Sequence, residues 1–329
     1  MKNLSIIGGG SWGTALAIVL APRFTRVKLW VFEPDLATRM VESRVNDVYL
    51  PGAIVPTNVD ISCDLGASLE DANIVLGVMP SHLARGMYGR MRPFVNERML
   101  FVSATKGLEN QTLLRVSEVI REVLERDSVG VISGPSFAKE VARYEPTAVV
   151  AAASDPAIAQ RVQEAFSGLT FRVYTSSDPI GVEIGGSIKN VVAIGAGVLY
   201  GMGLGHNAMA ALITRGLAEM TRLAVAMGGR QQTLAGLAGL GDLVLTCTGD
   251  LSRNRTLGVE LAKGRKLEDI VNSMKMVAEG VKTTNAAVDL AKRYGVEMPI
   301  AEQMFQMLHM GSSPQEAIRR LMERSLKGE

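Results

Sequence analysis

Residues 4–13 read Leu4-Ser5-Ile6-Ile7-Gly8-Gly9-Gly10-Ser11-Trp12-Gly13, a short apolar strand running directly into Gly-x-Gly-x-x-Gly. The loop opens a helical run, Thr14-Ala15-Leu16-Ala17-Ile18-Val19-Leu20. Strand, glycine loop and helix in that order suit a dinucleotide pyrophosphate. Gly8 makes the tight turn, Gly10 lets the backbone approach the phosphates, and Gly13 lets helix and strand pack closely. The amides and dipole at the helix N-terminus then hold the anion. A second strand, Val27 to Phe32, ends beside Glu33, twenty residues past Gly13 and at the distance of a ribose-binding acid.

At 329 residues the chain suggests two domains, and 47% apolar residues can fill sizeable cores. A net charge of +2 makes no electrostatic case for nucleic acid or a membrane surface. Aromatic residues, at 5%, are too few for single-strand stacking platforms. Cys63 and Cys247 stand alone, as reduced thiols of a cytoplasmic protein do. The apolar stretch Leu4 to Ile7 is too short for a signal peptide or membrane span.

Short β-branched runs alternate with helical segments through the first half: Ile74–Val78, Leu100–Ala104, Val129–Ile132, Thr147–Val150 and Phe171–Tyr174 as strands, Leu113–Arg126 and Pro156–Phe166 as helices. That alternation predicts a doubly wound, Rossmann-type, mainly parallel sheet. After Tyr174 the strand signal stops, and Asp178-Pro179 is a good helix start. The expected organisation is α/β: a dinucleotide-binding domain over 1–178 and an all-helical substrate domain over 179–329, ending in an amphipathic helix from Pro314 to Lys327.

Ligands of doubly wound sheets gather at the carboxyl ends of the strands. Val78-Met79-Pro80-Ser81-His82 follows one strand and serves either as a turn or as a cofactor contact. Ser103-Ala104-Thr105-Lys106-Gly107 puts an ammonium at the cleft edge. Ser133-Gly134-Pro135-Ser136 precedes a helix start and forms either a polar cradle or an ordinary cap.

In the helical half, Lys189 lies i+4 from Gly185 and i+3 from Gly186, with Ala193 and Ala196 continuing the same face. Two glycines inside a helix cost about 1 kcal/mol each relative to alanine, so something must approach closely there. A nicotinamide with its substrate fits, and so does another helix. Asp242 closes Gly236-Leu237-Ala238-Gly239-Leu240-Gly241, where it can cap the next helix or orient a lysine. Ser252 is a natural N-cap with Arg253 and Asn254 in the first turn. Arginine suits that end of a helix poorly unless an anion binds, when amides and guanidinium converge on one phosphate. The three histidines, His82, His206 and His309, form no metal-spaced pair, so no metal is expected.

These residues closely resemble the bacterial NAD(P)-dependent glycerol-3-phosphate dehydrogenases. The matching stretches run in family order: Gly8–Ala15, Ala104–Gly107, Ser133–Ala138, Ile188–Val191, Ala210–Gly216, Ala238–Leu243, Leu251–Asn254 and Val277–Val281. The resemblance implies interconversion of dihydroxyacetone phosphate and sn-glycerol 3-phosphate, the backbone of membrane phospholipids, with NAD or NADP as cofactor. It makes Lys189 the general acid/base and has Asp242 orient it, while Lys106 touches cofactor and substrate. Ser252, Arg253 and Asn254 then hold the substrate phosphate, and Gly134 and Ser136 line its pocket. Ser11, Trp12, Phe32, Ala138, Val277 and Glu279 contact the cofactor, with Arg253 reaching it as well. A homodimer follows by analogy.

The chain departs from the family pattern at three places. Ser187-Ile188 stands where Ala-Leu is common, His206 where an acid is common, and Phe32-Glu33 where NADP-preferring relatives carry polar or basic residues. A carboxylate at Glu33 suits a ribose diol and repels a 2′-phosphate. The sequence therefore leans to NAD and the family to NADP. The alternative activity is a 3-hydroxyacid dehydrogenase of the 6-phosphogluconate type, which also pairs a nucleotide-binding half with helices and a lysine.

Overall fold

The computed structural model describes residues 2–274, 278–326 and 328. The chain divides into two compact units, Met1–Glu109 with Leu114–Glu183, and Asn110–Leu113 with Ile184–Glu329. The division falls between Glu183 and Ile184, inside the helix that starts at Pro179.

The first unit is built on β1 (Asn3–Ile7), α1 (Ser11–Leu20), β2 (Arg26–Trp30), α2 (Pro34–Ser43), β3 (Val45–Asn46), β4 (Leu50–Ile54) and β5 (Val59–Ser62). There follow α3 (Leu65–Leu69), β6 (Ile74–Gly77), α4 (Ala84–Met91), β7 (Leu100–Ser103), α5 (Val116–Leu124), β8 (Val129–Ser133), α6 (Ala138–Ala142), β9 (Thr147–Ala152), α7 (Pro156–Phe166) and β10 (Phe171–Ser176). Eight strands make one sheet in the order β10-β9-β8-β7-β6-β1-β2-β5. All neighbours pair in parallel except β8 and β9. From β5 to β8 this is the dinucleotide-binding order, with its switch point between β1 and β6.

Successive strand residues face opposite ways, and the core divides accordingly. Ile6, Leu76 and Val102 pack with Leu16 of α1 and Phe166 of α7. Ile7, Val75 and Phe101 pack with Tyr88 of α4 and Ile120 of α5. The sheet is buried on both faces, so its strands are apolar without alternation. Two features escaped the sequence reading. The hairpin of β3 and β4 hides behind Pro51 and Gly52, and β5 is a four-residue edge strand. α5 is shorter than the expected Leu113–Arg126.

The helix α8 (Pro179–Gly201) begins where Asp178 Oδ1 accepts the Gly181 amide at 2.8 Å. Its first turns are fixed in the first unit by a buried network. Glu183 accepts from the Arg115 guanidinium at 2.7 Å, the Ser117 amide at 2.9 Å and the Ser117 hydroxyl at 2.6 Å. The helix is long and apolar enough to cross a membrane, but 94% of its most apolar window is buried inside the protein, as in a core helix.

The second unit continues with α9 (His206–Ala226), α10 (Gln231–Leu234), a π-helical turn (Leu237–Gly241), α11 (Asp242–Thr248), α12 (Arg253–Ala262), α13 (Leu267–Ser273), α14 (Glu279–Tyr294), α15 (Pro299–His309) and α16 (Pro314–Met322). The terminal helix stops short of the expected Lys327. Glu219 of α9 is buried and caps α15, accepting the amides of Ile300 at 2.7 Å and Ala301 at 3.2 Å.

Burial pushes the Glu219 carboxyl up to about 7, against the opposing pull of those two amides. A raised acid is protonated in the folded chain at a pH where the unfolded chain has ionised. Stability from this group is therefore full below about pH 4.5 and falls as pH rises toward 7. Glu219→Gln should remove that slope. Urea denaturation between pH 4.5 and 8 should show the native chain losing up to about 3 kcal/mol relative to the variant. Parallel curves would show that Glu219 is ionised throughout.

Candidate functional site

In the first unit the glycine loop has the geometry its spacing implies. Gly8 has φ +130°, and a Cβ there would lie 1.9 Å from the Val78 carbonyl oxygen. A Cβ on Gly13 would lie 1.8 Å from the Gly8 carbonyl oxygen, so α1 rests directly on the loop. A Cβ on Gly10 would meet no other atom within 4 Å, which leaves the approach to the α1 N-terminus open. No side chain caps α1 there. Ser11 and Trp12 form its first turn, half-buried. Asn46 braces the loop from β3, donating through Nδ2 to the Gly9 carbonyl and to Thr14 Oγ1, both at 2.8 Å.

Phe32 is exposed just past the end of β2, its ring edge-on to Trp30. Glu33 caps the start of α2 in sequence position, yet its carboxylate is held instead by the Tyr49 hydroxyl at 2.7 Å. That bond pushes the Tyr49 phenol up to about 12. At the ends of β7 and β8, Lys106 Nζ and the Ser136 hydroxyl both donate to the Gly134 carbonyl, at 3.1 and 2.9 Å. Gly134 has φ +145°, and Ala138 starts the short helix beyond.

In the second unit Lys189 and Asp242 are brought together and buried, 5% and 1% exposed. Lys189 Nζ donates to Asp242 Oδ1 and to Thr246 Oγ1, the latter at 2.8 Å. The Thr246 hydroxyl donates in turn to the Asp242 backbone carbonyl at 2.6 Å, so its oxygen presents a lone pair to the ammonium. Sequence reading missed Thr246. The signal was there, since i and i+4 share a helix face.

Asp242 occupies the first turn of α11 and leaves the N-cap position to Gly241. The bare glycine face beside Lys189 is filled at Gly185 by the π-helical turn. A Cβ on Gly185 would lie 2.4 Å from the Ala238 carbonyl oxygen. Of the two occupants the sequence left open, a helical segment takes this position.

Ser252 caps α12, its hydroxyl accepting the Arg255 amide at 3.3 Å. Arg253 stands exposed in the first turn, and Asn254 is buried with Oδ1 accepting the Gly280 amide at 3.0 Å. That bond takes the Asn254 amide oxygen, the side chain's acceptor. Glu279 begins α14, and Val277 lies outside the described residues. His206 is exposed at the start of α9.

An open glycine loop on a sheet of dinucleotide-binding order, followed along the chain by a helical unit with a buried lysine and carboxylate, defines the class of two-domain dehydrogenases that use a nicotinamide dinucleotide. The chain belongs to the NAD-dependent glycerol-3-phosphate dehydrogenase family: the model of that family's N-terminus matches residues 3–159 and the model of its C-terminus residues 178–319. It is 56% identical to the NAD(P)+ glycerol-3-phosphate dehydrogenase of Koribacter versatilis over 98% of each chain. It is 53% identical to the enzyme of the same name from Citrifermentans bemidjiense, over 100% of this chain and 99% of that one. Its structure is similar to the crystal structure of glycerol-3-phosphate dehydrogenase from Coxiella burnetii, with TM-score 0.94 and 43% identity over 98% of this chain and 99% of that one.

The position of Glu33 makes a cofactor prediction. Glu33→Arg should raise kcat/KM for NADPH relative to NADH, because a guanidinium accepts a 2′-phosphate that a carboxylate repels. Tyr49→Phe, which releases the carboxylate without removing it, should move the ratio less. Initial rates with both cofactors check this, and an unmoved ratio in Glu33→Arg places selectivity elsewhere.

Proposed function

We propose that this chain reduces dihydroxyacetone phosphate to sn-glycerol 3-phosphate with NADH or NADPH, reversibly, with Lys189 as general acid/base. The observation that carries the reading is the buried Lys189 ammonium, held by Asp242 and Thr246 in a chain of this family. The loop residues fit the cofactor, since Gly10 leaves room over uncapped α1 amides. Gly8, Gly10, Ser11, Trp12 and Gly13 would hold the pyrophosphate end, and Phe32 and Glu33 the ribose end. Ala138, Arg253, Val277 and Glu279 complete the set by resemblance. A nicotinamide held there would supply the hydride chemistry at the substrate's central carbon.

The residues of the chain do the rest. Lys189 gives a proton from Nζ to the oxygen that becomes the alcohol, and takes it back in the oxidative direction. Asp242 balances the charge of the buried ammonium and, with Thr246, fixes where Nζ points. Arg253 takes the substrate phosphate together with the amides that open α12, while Ser252 sets that turn and Asn254 offers its NH2. Lys106, bound to the Gly134 carbonyl in the cluster with Ser136, serves substrate and cofactor oxygens. The product feeds glycerophospholipid synthesis. We place the enzyme in the cytoplasm as a homodimer, in keeping with its two unpaired thiols and the usual closed symmetry of soluble oligomers.

Lys189→Ala should lower turnover by roughly 10²- to 10⁴-fold while cofactor binding, followed by NADH fluorescence, is retained. Near-normal turnover would remove Lys189 from the mechanism. Arg253→Ala should raise KM for dihydroxyacetone phosphate by roughly one to two powers of ten, the worth of one charge-assisted hydrogen bond. Arg253→Lys should recover part of it, since lysine lacks the bidentate fork. Rates with unphosphorylated dihydroxyacetone should change little, and equal losses on both substrates would assign Arg253 to the cofactor or the fold.

A further inference from the structure

Lys189 and the Ser252–Asn254 turn lie on two helices that touch backbone to backbone. A Cβ on Gly197 of α8 would lie 1.9 Å from the Arg255 carbonyl oxygen of α12 and 2.9 Å from Gly258 Cα. A Cβ on Gly258 would lie 2.0 Å from the Ile194 carbonyl oxygen and 3.0 Å from Gly197 Cα. One turn on, a Cβ on Gly201 would lie 2.7 Å from Ala262 Cβ and 2.9 Å from the Val259 carbonyl oxygen. Small residues four apart on each helix thus mesh. At Gly197 and Gly258 the nearest atoms of the facing helix are backbone, and at Gly201 they are the Ala262 methyl and the Val259 backbone.

From this crossing each helix carries one half of the proposed substrate site. Lys189 lies eight residues back along α8, about 12 Å, and Asn254 four residues back along α12, about 6 Å. The two arms meet again at Gly280, whose amide is bound by Asn254 Oδ1 at 3.0 Å. A Cβ on Gly280 would lie 2.8 Å from the carbonyl oxygen of Asn190, the residue after Lys189, and 2.7 Å from Asn254 Oδ1. The lysine helix and the phosphate turn are therefore set against each other at two glycine contacts, Gly197 with Gly258 and Gly280 with Asn190 and Asn254.

We propose that the Gly197–Gly258 crossing is a length gauge that fixes the span from Lys189 to the Ser252–Asn254 turn and so matches the site to a three-carbon phosphorylated ketone. The inference rests on Lys189 serving the carbonyl end and Arg253 the phosphate end, as argued above. Gly197 and Gly258 touch no substrate and are positioning residues. A methyl at Gly258 needs α12 to withdraw by about 1 Å before the Ile194 carbonyl is cleared, and a misplacement of that size costs about 10²-fold in rate when reacting groups must align.

The test compares kcat/KM on three substrates: dihydroxyacetone phosphate, its one-methylene-longer homologue 4-hydroxy-3-oxobutyl phosphate, and unphosphorylated dihydroxyacetone. Gly258→Ala should lose about tenfold or more of the native preference for dihydroxyacetone phosphate over the longer homologue, with NADH binding retained. Misfolding alone lowers the active fraction and leaves every substrate ratio unchanged. A preference unchanged in Gly258→Ala overturns the gauge. If Gly258→Ala yields no soluble protein, Gly201→Ala replaces it and should lower the preference in the same sense, because its methyl meets the Ala262 methyl and the Val259 backbone of α12. An unchanged preference in Gly201→Ala also overturns it. Arg253→Ala tests the underlying reading separately. It should cut the advantage of dihydroxyacetone phosphate over dihydroxyacetone by roughly one to two powers of ten, and if that advantage is unchanged, the phosphate assignment fails whatever Gly258→Ala does.

Discussion

An ammonium held out of water is the constraint around which the second unit is arranged. Removing a charge from solvent costs several kcal/mol, and only a well-placed counter-charge with further hydrogen bonds offsets it. Lys189 finds both in one turn of α11, where Asp242 and Thr246 lie four residues apart and converge on Nζ. The N-terminus of α11 favours a carboxylate in its first turn. A π-helical turn precedes it, a geometry that recurs at functional sites because it re-aims the residues that follow.

The first unit answers a different demand with the same means. Its loop must offer amides to an anion, so side chains have to be kept away from the backbone at chosen points. At Gly8 and Gly13 a carbonyl oxygen of a neighbouring segment stands where a Cβ would be. Close backbone approach therefore sets positions in both units. The bracing is remote in sequence: Asn46 reaches the glycine loop from a two-residue strand more than thirty residues on.

The sheet was legible where burial on both faces makes strands continuously apolar, as at Ile74–Gly77 and Leu100–Ser103. It was not legible at β5, whose Val-Asp-Ile-Ser is short and sits at an edge, though it completes the dinucleotide-binding order. At the site, Lys189 stood out because glycines clear its helix face, and Asp242 because it ends a glycine-rich run. What the sequence could not say was what the glycines clear space for. Gly185 receives a carbonyl of the protein itself, a choice between ligand and chain that depends on tertiary packing. Tyr49, which holds Glu33, was hidden for the same reason as Asn46, since both belong to the hairpin region that proline and glycine disguise.

The π-helical turn and the start of α11 meet α8 at two points spaced alike on both sides. Gly185 and Lys189 are four residues apart on one, and Ala238 and Asp242 are four apart on the other. The bare position takes a backbone carbonyl and the charged position takes a carboxylate. If the segments docked one turn out of step during folding, Asp242 would be buried against a glycine with no counter-charge, and Lys189 would lose its acid. Either error strands a charge away from water, at a cost comparable with a sizeable part of a domain's net stability. The shared spacing thus ties the docking register of the two segments to the pairing of their charges.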